Sequence, residues 1–342
     1  MLENYGVHTK YSYKIYIMNR KTILVSLLVY AIVTTQAQNN KTEEPKGKAL
    51  MQVFGNFHTG FGKENNNRGF ELERSYLGYE YQLWGGLSAK AVVDIGKSSD
   101  ISDYQRIIYI KNVMISWRHG NLTLNGGLIP TTQFNQQEKF WGYRYIMMSF
   151  QDLYKFGSSA DLGFSIAYKF ANWGTVDAII VNGEGYKKIQ INNGLNYGLG
   201  ITLTPTKHFQ IRIYTGLNES GNNNKDIVNM AAFAGYKCTR FAIGAEYNLM
   251  LNAAYKNGAN QYGYSIYVSV GMSKVTDLYI RTDGLYSKNN WNQANDEKAT
   301  ILGAQFKLGK YIKIAPNFRI SWPASNNMDN RYSAYLNCYF GF

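Results

Sequence analysis

The property that most constrains this chain is a period of two that returns in sixteen short segments between Val53 and Phe342. In LSAKAVVDI, Leu87, Ala89, Ala91, Val93 and Ile95 alternate with Ser88, Lys90, Val92 and Asp94. In VFGNFHTGF, Val53, Phe57 and Phe61 fall on one face and Phe54, Asn56 and His58 on the other; in SYLGYEY, Leu77, Tyr79 and Tyr81 share a face. Successive side chains of a strand point to opposite faces, so strict alternation reads as strand, and no helical period fits it. The pattern continues through NVMISWR, LTLNGGLI, LGFSIAYKF, TVDAIIV, GLNYGLGITLT, FQIRIYTG, MAAFAGYKC, FAIGAEYNLM, YSIYVSVGM, LYIRTDG, TILGAQFKL, IAPNFRISW and YSAYLNCYFGF. Each is close to the length a tilted strand needs to cross a membrane.

The connections alternate as well. Tight turns (LWGG, HGN, ANW, PTKH, KCTR, SKVTD, GKYIK) take turns with longer polar loops such as GKSSDISDYQ, NGEGYKKIQINN, NESGNNNKD, KNGANQ and YSKNNWNQANDEK. Short turns on one side, long loops on the other and an even strand count are the layout of an outer-membrane barrel. The expected fold is therefore all-β: an antiparallel transmembrane β-barrel of about 16 strands, with a long third extracellular loop folded into the lumen. A soluble sandwich or barrel would also alternate, but it needs neither an export signal nor the short and long connections. Composition agrees with the membrane reading. Tyrosine (29) and glycine (33) are abundant, proline (5) is scarce, and aromatics make up 15% of a chain whose mean hydropathy is negative.

Residues 18–37, MNRKTILVSLLVYAIVTTQA, carry Arg20 and Lys21, an apolar run from Thr22 to Val33, and a small residue, Ala37, before the expected cut. This is a secretory signal, shorter than a membrane helix and followed directly by polar residues. Residues 1–17 lie upstream of it and read as an extension before a start at Met18. The expected organisation is then a signal peptide at 18–37, a periplasmic linker at 38–47 and a barrel domain at 48–342, with 130–160 as its constriction loop. The formal charge of +13 falls to +10 once Lys10, Lys14, Arg20, Lys21 and Glu3 leave with residues 1–37. The charges are spread through turns and alternating positions, so a lumen attractive to small anions explains them better than nucleic acid. Cys238 and Cys338, on the tenth and sixteenth segments, are not on neighbouring strands and read as unpaired apolar residues.

The stretch from Pro130 to Ala160 is the longest that does not alternate. It holds Phe134, Phe140, Trp141, Tyr143, Tyr145, Phe150, Tyr154 and Phe156, too apolar a set to remain solvated, and the barrel interior is the nearest surface it can bury them against. Ile146, Phe150 and Leu153/Tyr154 are spaced for a short helix near Tyr145 to Phe156. A latching loop at a subunit contact is the rival reading. Its polar residues Glu138, Lys139, Arg144, Asp152 and Lys155, with Trp141 and Tyr143, are the candidate constriction set, of mixed charge.

On the strands, Arg74, Lys90, Arg118, Lys169, Arg212, Arg281 and Arg319, with Lys307, lie opposite the apolar faces and are the candidate lumen-lining cations. Inward Asp94, Asp177, Glu246 and Asp283 offer them ion-pair partners. No catalytic, metal or cofactor site is expected: His58, His119 and His208 have no serine or acid at a recognisable spacing, and there is no phosphate-binding glycine loop.

GFELERSYLGYEY, PTTQF…EKFWGYRY…SFQD…KFGSSADLG, VNGEGY, LYIRTDGL and IAPNFRISW together resemble the Bacteroidetes branch of the phosphate-selective porin O and P superfamily. The resemblance implies a sixteen-stranded porin of the bacterial outer membrane, a homotrimer with its third extracellular loop in the lumen, passing small hydrophilic solutes by diffusion. The lysine cluster of phosphate-specific members is missing from this loop, so a general preference for anions is the narrower expectation. The aromatic closing strand, with Leu336, Cys338, Phe340 and Phe342 on one face, resembles the signal read by the barrel-assembly machinery. Outer-membrane lipid and lipopolysaccharide would surround such a barrel. A plugged barrel with a structural or adhesive role is the alternative.

Overall fold

The structure, a computed structural model, describes residues 46–62, 65–98, 102–221 and 224–342. The expected signal peptide and most of the expected linker lie outside the described residues.

Sixteen strands close on themselves: β1 (Lys46–Phe61), β2 (Arg68–Gln82), β3 (Leu87–Ser98), β4 (Ser102–His119), β5 (Leu122–Pro130), β6 (Ala160–Ala171), β7 (Gly174–Val181), β8 (Asn196–Thr206), β9 (Phe209–Asn218), β10 (Ile227–Lys237), β11 (Phe241–Leu251), β12 (Gln261–Gly271), β13 (Thr276–Ser287), β14 (Glu297–Leu308), β15 (Ile312–Pro323) and β16 (Arg331–Gly341). Each pairs antiparallel with its neighbours in sequence, and β16 returns to β1 with Phe57 opposite Leu336. Closure leaves no unpaired sheet edge, which a spanning β-structure requires because lipid cannot satisfy backbone N–H and C=O groups. Phe342 and Met51 exchange backbone hydrogen bonds at the seam.

Every expected segment lies on a strand, but several strands run longer than their alternation suggested. β1 begins at Lys46, inside the expected linker, because Lys46–Met51 pair with Leu77–Gln82. β4 begins ten residues before Asn112, paired with β3. Cys238 sits one residue beyond β10, Cys338 faces outward on β16, and both are free thiols.

Outward positions are apolar and exposed, among them Val113, Ile115, Phe164, Ile213, Ile243 and Leu302. Near the rim of tight turns an exposed aromatic ring encircles the barrel: Tyr81, Trp84, Phe170, Trp173, Tyr236, Phe241, Tyr311 and Phe342. Such a girdle sits where a bilayer's headgroups meet its acyl chains. The longer connections gather at the opposite, loop rim.

Two β-bulges change which residues look inward. Phe54 pairs with Arg74 and Gly55 with Leu72, leaving Glu73 as the extra residue. Val92 pairs with Asn112 and Val93 with Ile110, leaving Lys111 as the extra residue. A bulge re-aims the side chain it inserts, and both of these turn into the lumen.

Candidate functional site

The connection between β5 and β6 enters the barrel. It carries helices α1 (Asn135–Trp141) and α2 (Phe150–Leu153). The helix expected across 145–156 is thus confined to four residues, and the longer one lies earlier. Two causes are visible. Gly142, at φ 74, takes the left-handed conformation that ends α1. Beyond it, the carbonyls of Ile146 and Met148, which would accept the next helical hydrogen bonds, are taken by Arg319 Nη2 and Arg281 Nη1, each at 2.7 Å.

The loop follows the wall from β9 round to β1 and then doubles back. Arg212 Nη2 donates to the Thr132 carbonyl at 2.6 Å, Phe140 packs on Phe233, and Trp141 packs between Tyr267 and Tyr279. Tyr145 reaches Phe54 and Tyr339, and its hydroxyl donates to Gln305 at 2.8 Å. Returning, Gln151 accepts from Gln133 at 2.9 Å. Inside the loop, Arg144 bridges Glu138 at 3.1 Å and Asp152 at 3.0 Å. Burial raises the Glu138 carboxyl above the usual carboxylate range, with Arg144 pulling the other way. Burial also pushes the Tyr143 hydroxyl up to about 12, so it stays a donor.

The expected lumen cations separate into two groups. Arg212 and Arg281 are buried behind the loop, paired with Asp177 and Asp283, and Arg319 lies over the Tyr335 ring while donating to Asn317 and Asn337. These three fasten the loop rather than line water. Lys90, Arg118 and Lys169 stand near the turn rim on β3, β4 and β6; Arg118 and Lys169 are exposed, and Lys90 is 3.9 Å from Glu80. Lys307 pairs with Asp277 at 2.8 Å. Of the loop set, Trp141 and Tyr143 are buried against the wall, Glu138, Arg144 and Asp152 are half-buried, and Lys139 and Lys155 are exposed.

Burial of the inward wall is strongly lopsided. Along β10 to β13, Ala231, Phe233, Ala242, Glu246, Asn248, Ser265, Tyr267, Tyr279, Arg281 and Asp283 are all buried under the loop. Along β4 to β6, Asn112, Ile129, Asp161 and Ser165 are buried, but toward the turn rim Met114, Ser116, Thr123, Asn125 and Ala167 are only half-buried and end in exposed Arg118 and Lys169. The loop occupies one side of the lumen and leaves small, polar and basic wall on the other.

Above the loop, toward the loop rim, lies a cavity of about 880 Å³ lined by Arg74, Arg144, Asp152, Lys155, Asp161, Tyr186 and Lys188, among others. Sequence reasoning missed Lys111, which lies beside this cavity without lining it, and Tyr186, which does line it. Lys111, turned inward by the bulge, donates to Ser159 Oγ at 3.0 Å; Tyr186, from the β7–β8 loop, accepts from Arg74 at 3.0 Å and donates to Asp94. A lysine breaking the apolar series Ile108, Ile110 was the available signal for the first.

No family model matches the sequence, and no curated protein is similar enough to match it. Solved structures do match. The chain resembles an anion-selective porin from Comamonas acidovorans (TM-score 0.67, 12% identity, 87% of this chain and 100% of that one). It is also similar to OprB of Pseudomonas putida (0.66, 10%, 86% and 94%) and to OmpT of Vibrio cholerae (0.63, 13%, 89% and 99%). At these identities the likeness is one of fold: a closed antiparallel barrel of sixteen strands.

Proposed function

We propose that the chain is a porin of the bacterial outer membrane, a non-enzymatic, water-filled channel for diffusion of small hydrophilic solutes, with anions preferred. The observation that carries this reading is the lopsided wall. The β5–β6 loop narrows the lumen from one side, and the passage runs between it and the turn-side half of β4 to β6, where the inward residues Met114, Ser116, Thr123, Asn125 and Ala167 keep contact with solvent. Charge preference in such a pore follows the side chains that line it. Here those are Lys90, Arg118 and Lys169 near the turn rim and Arg144 and Lys155 on the loop itself, where it borders the cavity. The porin O and P resemblance, the homotrimer, insertion by the barrel-assembly machinery and a lipopolysaccharide environment belong to this same proposal.

One observation favours the alternative of a plugged barrel. Phe54, Tyr76, Phe140, Trp141, Tyr143, Tyr145, Phe233, Tyr267 and Tyr279 form a buried cluster inside the lumen. That cluster lies under the loop, however, and leaves the β4–β6 wall uncovered.

Two measurements bear on the proposal. Replacing Lys90, Arg118 and Lys169 together with glutamine should shift the reversal potential in a salt gradient toward cation preference; an unchanged potential would remove the exit from the charge filter. Phe164 points outward in the middle of β6 and is 68% exposed. Phe164→Arg should lower unfolding stability in lipid vesicles by about 2–4 kcal/mol, the cost of arginine on a lipid face near the bilayer midplane. A barrel whose outer face lay in water would show no such loss.

A further inference from the structure

The uncovered side of the lumen has a second loop over it. We infer that the β7–β8 loop is a second constriction segment, latched across the mouth of the passage by Tyr186, with Lys111 beneath it as the charge-determining residue. The inference rests on the channel reading and adds to it residues that determine size and charge selection.

The topology makes the crossing unavoidable. Tyr186 follows β7, yet its hydroxyl meets Arg74 on β2 and Asp94 on β3. Its ring meets Tyr109 on β4 edge-on, with centroids 6.3 Å apart. Strands β5 and β6 lie between these anchor points in the barrel order. The loop therefore crosses the loop-rim end of β4 to β6, above the half-buried wall on their turn side.

The crossing is also built to hold its shape. Asp161 Oδ2 accepts from the backbone N–H groups of Gly183 at 2.8 Å and Gly185 at 3.1 Å, and the Tyr186 N–H donates to the Ala160 carbonyl at 2.9 Å. Gly185 sits at φ 82, where a side chain would be strained and its Cβ would meet Ser158. Beyond the latch, Ile189 and Ile191 are 83% and 78% exposed.

Lys111 completes the filter. Its ammonium lies 4.9 Å from the Tyr76 ring centroid and 4.7 Å from that of Tyr186, within cation–π range of both. One hydrogen bond goes to Ser159, and an ammonium has three donors. Held between the two rings and Ser159, the ammonium puts a fixed positive charge beside the cavity that Tyr186 lines.

Single-channel recording and vesicle swelling with neutral sugars of increasing size test the inference on the purified full chain. Tyr186→Ala should raise the unit conductance and admit larger sugars. Tyr186→Phe keeps the ring contacts but loses both hydroxyl bonds, and should leave the main open level unchanged while increasing flicker. Lys111→Met should shift the reversal potential toward cations. Ile189→Ala, in the same loop but off the latch, should behave as wild type. If Tyr186→Ala migrates as a folded, heat-modifiable barrel yet has wild-type conductance and size limit, the latch is overturned. An unchanged reversal potential in Lys111→Met overturns the charge role. A silent wild type with a conducting Tyr186→Ala supports a latch that closes the pore; silence in both overturns the channel reading, and the latch with it.

Discussion

Arg281→Ala will destabilise the barrel by about 3–5 kcal/mol, the range for removing one partner of a buried ion pair, and will release the β5–β6 loop. The guanidinium is 1% exposed and uses four contacts at once. Nε and Nη2 donate to Asp283 at 2.8 and 2.7 Å, Nη1 donates to the Met148 carbonyl at 2.7 Å, and the group lies 5.1 Å from the Trp141 ring. Alanine leaves the fully buried Asp283 carboxylate without its counter-charge and the loop carbonyl without its donor. Arg281→Lys keeps the charge but not the planar fork, so it should fall between the two. Arg281→Ala combined with Asp283→Ala should recover part of the loss, because the Asp283 carboxylate is then no longer stranded, although buried Glu246 still loses the Arg281 charge. Urea unfolding in lipid vesicles measures the stability, and current noise in planar bilayers measures the loop. A single variant as stable and as quiet as wild type would mean that the loop is held by something other than its arginines.

Trp141→Ala should have an effect of similar size through packing alone. Trp141 is 3% exposed, its ring lies 5.0 Å from those of Tyr143 and Tyr267, and its indole N–H donates to the Met147 carbonyl at 2.9 Å. Truncating a buried tryptophan typically costs about 3–5 kcal/mol, from lost burial and the cavity left behind. Here the cavity opens between loop and wall, so the loop should gain freedom to move into the passage and the open current should become noisier. Lys139, only two residues earlier, is exposed, and Lys139→Ala should stay within about 0.5 kcal/mol of wild type. Equal effects from the two substitutions would contradict the placement of the loop against β12 and β13.

The strands were legible because a closed barrel with an apolar outer face imposes a simple rule: Leu77, Tyr79 and Tyr81 must face out while Val92 and Asp94 face in. The loop's position was legible by counting, since its aromatic residues had to be buried and followed the fifth strand. What sequence could not reveal was geometry that breaks the rule. Lys111 and Asn112 are consecutive and both turn inward because a bulge inserts one of them. The expected helix at 145–156 was mostly lost to Arg281 and Arg319, which capture carbonyls that a local pattern assigns to the helix itself. Arg281 and Arg118 also look equivalent in sequence, each an inward arginine on an alternating strand. Only the course of the loop makes one a buried clamp and the other an exposed residue near the turn rim.

The most direct test of an off-centre aqueous passage is the single-channel conductance of an Ala167→Cys barrel, with Cys238 and Cys338 replaced by serine, before and after a charged thiol reagent. Ala167 lies on the half-buried β6 wall and Ser265 beneath the loop on β12. The account predicts discrete conductance steps that shrink when position 167 is modified, and steps that do not change when a Ser265→Cys barrel is treated in the same way. Absence of steps, or block through position 265 with none through 167, would contradict it.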